Sequence, residues 1–433
     1  MNGPNSLLRE AVLRTNPFFP FSRLNREPYR LAIRAFLRLC RKFPEIRGVY
    51  IRHGMAGAGW VPGLSDIDLT VTFSPDLREA DEFRFLTAFA EERAALRRWF
   101  PMLTDVVMLN EAHLPAWTRH GIRGQEARRW QALYGPPPAC EYRDEDAAYD
   151  QKEDALIRYF EYLLPWYFEP LSYVGLRRMQ RVASRILRHA PANVESFRNP
   201  TNDPALLVAR VLLALDQWIG AAPGTHEQSV TVHRDTFFLI PGGRPNEDSL
   251  RQSLLHARNY HADGNTVRIA TGSVARYWFR VIKPHQHHDW TAESTVLHGS
   301  HLMIGIEPPD ERSCARSLLQ SVSAVLDFPQ LEKVVAQKRP EWFAEDGYRS
   351  LFERGCYLRL LLEHGFQSPQ HARTMREAER CYPSEMRELA EIRSLAMAGN
   401  GALTDLRYRA FCLLRRNASA VNAAMGESLA ACN

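Results

Sequence analysis

Asp66 and Asp68 stand two residues apart in Gly63-Leu64-Ser65-Asp66-Ile67-Asp68-Leu69. They follow the glycine-bearing stretch Arg52-His53-Gly54-Met55-Ala56-Gly57-Ala58-Gly59-Trp60-Val61-Pro62. In an extended chain, side chains at i and i+2 share a face. The two carboxylates therefore point one way, and Ile67 and Leu69 point the other way, toward a core. Carboxylates held side by side repel unless a proton or a cation lies between them. Hard divalent cations such as Mg²⁺ take oxygen ligands and leave room for phosphate oxygens. The chemistry expected of this pattern is metal-assisted phosphoryl or nucleotidyl transfer.

A third carboxylate extends the set. Leu103-Thr104-Asp105-Val106-Val107-Met108-Leu109 reads as a short buried strand with Asp105 near its start. Paired beside the Asp66/Asp68 strand, it completes a triad able to hold two cations. Such a pair of ions activates the attacking oxygen and stabilises the leaving one during in-line displacement.

The order of these pieces resembles the polymerase-β-type nucleotidyltransferase superfamily. The matching parts are a helix around Arg30–Arg41, a strand Gly48–Arg52, a turn Gly54–Gly63, Ser65-Asp66-Ile67-Asp68, and Asp105. Ala132-Leu133-Tyr134-Gly135 resembles the end of that catalytic domain. The match spans residues 28–138. It implies an α+β fold with a nucleotidyltransferase-like mixed sheet, small-molecule adenylylating enzymes being the closest architectural analogy.

By that resemblance, Asp66, Asp68 and Asp105 are the catalytic residues and the ligands of Mg²⁺, for which Mn²⁺ can substitute. A nucleoside triphosphate donor lies against the turn and Ser65, and a small-molecule hydroxyl is the acceptor. Family members carry a Gly-Ser pair after the first strand that grips the phosphates. Here either His53-Gly54 or Gly54-Met55 occupies that place, and neither contains serine. Backbone N–H groups in a glycine-rich nest still bind phosphate. His53, Gly54, Met55 and Ser65 are thus the expected nucleotide-binding residues of the turn.

The elements needed to position these residues can be read locally. Pro28–Lys42 reads as an amphipathic helix and Val49–Ile51 as the first strand. Leu69-Thr70-Val71-Thr72-Phe73 continues the Asp-bearing strand, and Asp81–Phe100 forms the following helix. The segment from Asn5 to Arg26, with Phe18, Phe19 and Phe21 among Pro17 and Pro20, is expected to wrap onto the body as an arm.

Gly135-Pro136-Pro137-Pro138 marks a boundary, because three prolines extend neither a helix nor a central strand. Beyond it, 139–225 is expected to be a helical domain and 226–310 a small β-containing subdomain. Residues 311–433 form a C-terminal helical region, after a catalytic domain over 1–138 that includes the arm. Ser172–His189 carries Arg177, Arg178, Arg181, Arg185 and Arg188. In small-molecule nucleotidyltransferases a helical domain closes the cleft. By that analogy Arg177 and Arg181 are the helix's expected phosphate-binding residues.

In the β-containing part, strands are expected at 236–240, 266–270, 277–282 and 301–306. Pro284-His285-Gln286-His287-His288-Asp289-Trp290 is rich in histidine, lacks any recognised zinc spacing and reads as an exposed loop. Glu141, Asp144, Glu145, Asp146, Glu153 and Asp154 are candidates for the base that takes the acceptor's proton if Asp105 does not.

Composition bounds the rest. The 433 residues suggest two or three domains. Seven scattered cysteines without a C-x-x-C pair indicate neither a disulfide framework nor a cysteine zinc site. A net charge of +5 does not by itself imply nucleic acid. No apolar run reaches bilayer length, and the N-terminus lacks a secretory pattern. A cytoplasmic protein without a membrane partner is expected. The competing class is a regulatory or binding protein that keeps the fold without turnover. Within the enzyme class, RNA, protein or a second nucleotide are the other acceptors.

Overall fold

The computed structural model describes residues 4–56, 60–190, 201–220, 227–262, 264–326, 328–366, 368, 370–399 and 402–430. The chain forms two compact units, one of residues 1–146, 318–367 and 372–433, the other of 147–317 and 368–371. Each unit mixes helices with one four-stranded sheet, so the α+β class is observed.

The first unit begins with helices α1 (Pro4–Thr15), α2 (Phe21–Leu24) and α3 (Glu27–Cys40). In α3, Pro28 occupies the first turn, where a missing N–H costs nothing. The helix buries Tyr29, Ala32, Phe36, Leu39 and Cys40 along one stripe. Strands β1 (Ile46–Ile51), β2 (Asp68–Phe73), β3 (Asp105–Asn110) and β4 (Gln131–Tyr134) form a sheet in the order β3-β2-β1-β4. A one-turn helix, α4 (His53–Ala56), follows β1, and α5 (Glu79–Trp99) connects β2 to β3.

β1 runs antiparallel to β2 and β4, whereas β2 and β3 are parallel. A parallel pair requires a long crossover, and α5 supplies it. Its Phe85, Leu86 and Phe89 pack into the core formed by Val49, Leu69 and Val71.

The C-terminal helices belong to this same unit. Tyr348, Phe352, Leu406 and Phe411 share one core with Phe83 and Leu86 of α5. Arg415 donates to Glu82 at 2.7 Å, and Arg93 of α5 pairs with Glu332.

In the second unit, helices Ala147–Arg158, Tyr173–His189 and Pro204–Ile219 accompany β5 (Ser229–His233), β6 (Thr236–Ile240), β7 (Thr266–Ile269) and β8 (Thr295–Gly299). The sheet order is β7-β6-β5-β8. Asp203 caps the helix Pro204–Ile219 by accepting from the N–H groups of Ala205 and Leu206.

The strands expected at 236–240 and 266–270 are present; three other expectations are corrected. Residues 277–282 are helical, because Trp278, Phe279 and Ile282 bury one face at helical spacing after a start capped by Thr271. Short apolar runs fit either periodicity, and packing decides. Residues 301–306 form turns rather than a strand. The histidine-rich stretch is a helix, Pro284–Glu293, with Pro284 in its first turn and His287 buried against the Ile306 carbonyl at 3.1 Å.

Six described cysteines are free thiols, and Cys432 lies outside the described residues. Among the described residues no helix is long and apolar enough to cross a membrane.

Candidate active site at the carboxylate row of the first sheet

The extended lead-in to β2 displays the alternation expected from spacing. Ile67 and Leu69 are fully buried, while Asp66 and Asp68 are half-buried. The Ile67 N–H donates to the Met102 carbonyl at 2.8 Å, which holds the lead-in straight before β2 formally begins.

Asp68 is in register with Asp105 on the neighbouring parallel strand. On the other side, the Arg52 N–H donates to the Asp68 carbonyl at 2.9 Å, continuing the ladder in which Ile51 faces Leu69. Arg52, Asp68 and Asp105 thus form a row across three strands, and register partners share a face. Asp66 lies on the same face, two residues before Asp68.

A fixed positive charge sits in this row. The Arg52 side chain is 2% exposed, and its Nη2 donates to Asp105 Oδ2 at 2.8 Å. The same nitrogen lies 3.4 Å from the Asp105 carbonyl oxygen. The guanidinium therefore crosses β2 to hold the carboxylate on β3. Asp66 receives a second arginine, with Arg9 Nη2 of α1 at 3.4 Å and both side chains partly exposed.

The turn before the aspartates is tied down by Tyr29 of α3. Its hydroxyl accepts from the Gly63 N–H at 2.9 Å and donates to the Ser65 carbonyl at 3.0 Å. Ser65 is buried, and its Oγ accepts from the Val61 N–H at 2.8 Å, so that hydroxyl serves the turn. Gly63 has φ +83°, and a Cβ there would lie 3.0 Å from both the Arg9 carbonyl oxygen and Val12. Only glycine meets both demands.

Met55 packs against the core. The Ala56 carbonyl, at the end of α4, accepts from Gln131 at 2.7 Å. The side chain of His53, residue Gly54 beyond its place in α4, and all of Gly57–Gly59 lie outside the described residues. Arg177 and Arg181 lie on the helix Tyr173–His189 of the second unit. Arg177 is exposed and bonds Tyr173 and Gln180 of its own helix.

Among the carboxylates weighed as a base, Glu141, Asp144, Glu145 and Asp154 are paired with Arg119, Arg128, Arg143 and Arg158. Asp146 stands 3.6 Å from His120, whose burial lowers its pKa to about 4. Glu153 is different. Burial, reinforced by Asp150 and Asp154 and opposed by Lys283 and Arg316, raises its pKa to about 8.

The structure thus brings Asp66, Asp68 and Asp105 to one edge of one sheet. Among the described residues, no three His, Cys, Asp or Glu side chains converge closely enough to hold a metal ion. Three contributors escaped the sequence reading. Arg52 left a signal, being a charge at the end of the apolar strand Val49-Tyr50-Ile51. Tyr29 was concealed within a helix's apolar stripe, and nothing local marked Arg9. No family model, curated protein or solved structure matches this chain.

Proposed function

We propose that the first unit is a nucleotidyltransferase. It would move a nucleoside monophosphate, AMP being the expected group, from a triphosphate to the hydroxyl of a small molecule. The observation carrying this reading is the register of Asp68 with Asp105 on parallel strands, with Asp66 two residues upstream on the same face. Carboxylate oxygens are the donor type a hard cation takes. The three side chains do not converge on one point in this structure, so holding the ion requires Asp66 and Asp105 to turn from their arginines toward Asp68. Mg²⁺ or Mn²⁺, held by Asp66, Asp68 and Asp105, would neutralise phosphate charge and activate the acceptor oxygen.

The chain's own groups supply the rest. Arg52 fixes the orientation of Asp105, whose half-exposed carboxylate takes the acceptor's proton. The acceptor oxygen then bonds to the α-phosphorus as the α–β bridging bond breaks, and pyrophosphate leaves. Tyr29 and Ser65 hold the turn that presents Asp66. Such a site works by positioning and charge compensation.

A second reading has its own observation. Among the described residues, arginines hold Asp66 and Asp105, as expected of a binding protein that keeps the fold without turnover. Thermal melts with each nucleoside triphosphate, with and without Mg²⁺, separate the two. Ligand at about 100 times its dissociation constant stabilises by about 2.7 kcal/mol. A Mg²⁺-dependent shift with one nucleotide, lost in Asp66→Asn/Asp68→Asn, is expected. Absence of any shift would overturn the enzyme reading in favour of the second.

A further inference from the structure

The N-terminal arm carries an unusual surface. Seven of the fifteen large apolar side chains exposed among the described residues lie between positions 7 and 31. Leu7, Leu8, Phe18, Phe19, Phe21 and Leu24 are among them, with Phe18 at 65% and Phe19 at 73% exposure. Single exposed apolar residues need no explanation, but a concentration of them marks an interaction site. The arm is nonetheless anchored. Leu13 and Tyr29 are buried, and the Asn25 amide donates to the Val12 carbonyl and the Thr15 hydroxyl at 3.2 Å.

The arm and the helix α3 that follows it together concentrate positive charge. Residues 1–42 hold nine basic and two acidic side chains, a net +7, whereas the whole chain carries +5. The remaining residues are therefore net acidic. Arg14, Arg23, Arg26, Arg34 and Arg38 are all exposed. The two acids, Glu10 and Glu27, pair with Arg14 and Arg30 at 2.7 and 2.6 Å.

We infer that this arm, together with the exposed arginines of α3, docks the protein on an anionic membrane surface. Phe18, Phe19, Phe21 and Leu24 enter the boundary between headgroups and acyl chains, and the exposed arginines meet lipid phosphates. Basic side chains beside Phe and Leu are the composition of segments that lie in that interface. Other occupants fit less well. A second copy would bring the same +7 against itself. Single-stranded nucleic acid stacks on aromatic faces, and half of the six apolar residues named are leucines. The earlier expectation of no membrane partner rested on the lack of a spanning segment, and a surface-bound arm requires none. The inference stands apart from nucleotidyl transfer and survives or fails independently of it.

Sedimentation of the full chain with phosphatidylcholine vesicles, with and without phosphatidylglycerol, tests this. Binding should require the anionic lipid and weaken as salt rises. Phe18→Ser/Phe19→Ser and Arg34→Gln/Arg38→Gln should each weaken it about tenfold or more, with unchanged melting temperatures. Should the phenylalanine variant melt early, the arginine variant and the salt dependence decide. The inference is overturned by equal binding to neutral vesicles, by no binding, or by variants that bind like wild type. It is also overturned if these residues instead bind an RNA homopolymer, or support a concentration-dependent dimer, without vesicle binding.

Discussion

Arg52 lies almost wholly out of solvent and reaches across a strand to Asp105, whose carboxylate is half exposed. The pair is asymmetric, and its two halves should fail differently. Removing Asp105 strands a buried guanidinium, which costs on the order of 3 kcal/mol. Removing Arg52 leaves a carboxylate that water can reach, costing about 1 kcal/mol. Urea unfolding of Asp105→Ala and Arg52→Met should show the larger loss in the former. An equal or reversed order would mean that the arginine is not held this way.

Tyr29 bridges Gly63 and Ser65 with one hydroxyl. Tyr29→Phe keeps the ring against Trp60 and deletes that bridge. Two backbone groups then lose a partner, and a stability loss of about 1–2 kcal/mol is expected. In the nucleotidyltransferase reading the turn presents Asp66, so nucleotide-dependent stabilisation should fall as well. A variant indistinguishable from wild type in both measurements would remove Tyr29 from the site.

Arg9 and Asp66 form a partly exposed ion pair, and such pairs contribute under about 1 kcal/mol. Arg9→Ala should hardly change the melting temperature. In the nucleotidyltransferase reading it frees a carboxylate for the cation, so the Mg²⁺ concentration needed for nucleotide stabilisation should fall. A rise in that concentration would make Arg9 a phosphate contact rather than a competitor.

One buried group in each unit should respond to pH, the two in opposite senses. Burial raises Glu153 from 4.5 to about 8, so between those values the native second unit holds a proton that the unfolded chain has released. Its stability falls as pH rises through that window. In the first unit, burial and the nearby Arg415 charge lower His113 from 6.5 to about 4. There the unfolded chain binds the extra proton, and stability falls as pH drops through the window. Melts across the pH range should show Glu153→Gln flattening the alkaline limb and His113→Asn the acid limb.

The alternation Asp66-Ile67-Asp68-Leu69 was legible because strand periodicity is a property of covalent neighbours. The helices α3 and α5 were legible for the same reason, as were β6 and β7. Residues 277–282 were not, since a short apolar run suits either a strand or a buried helix until its neighbours are known. The histidine-rich helix misled in the same way, its burial depending on turns that follow it in the chain.

The sequence by itself determined the chemistry-bearing residue types, their spacing and the mixed class of the fold. Tertiary structure alone decided that Asp68 stands level with Asp105, that Arg52 crosses a strand to reach the latter, and that Arg9 reaches Asp66. It also returned the last helices to the first unit, where Arg415 meets Glu82 across 333 positions of chain. Local patterns act through neighbours a few residues apart, and they encode which face a side chain takes. Partners so distant are selected only when the whole core closes and each buried charge must find its counter-charge.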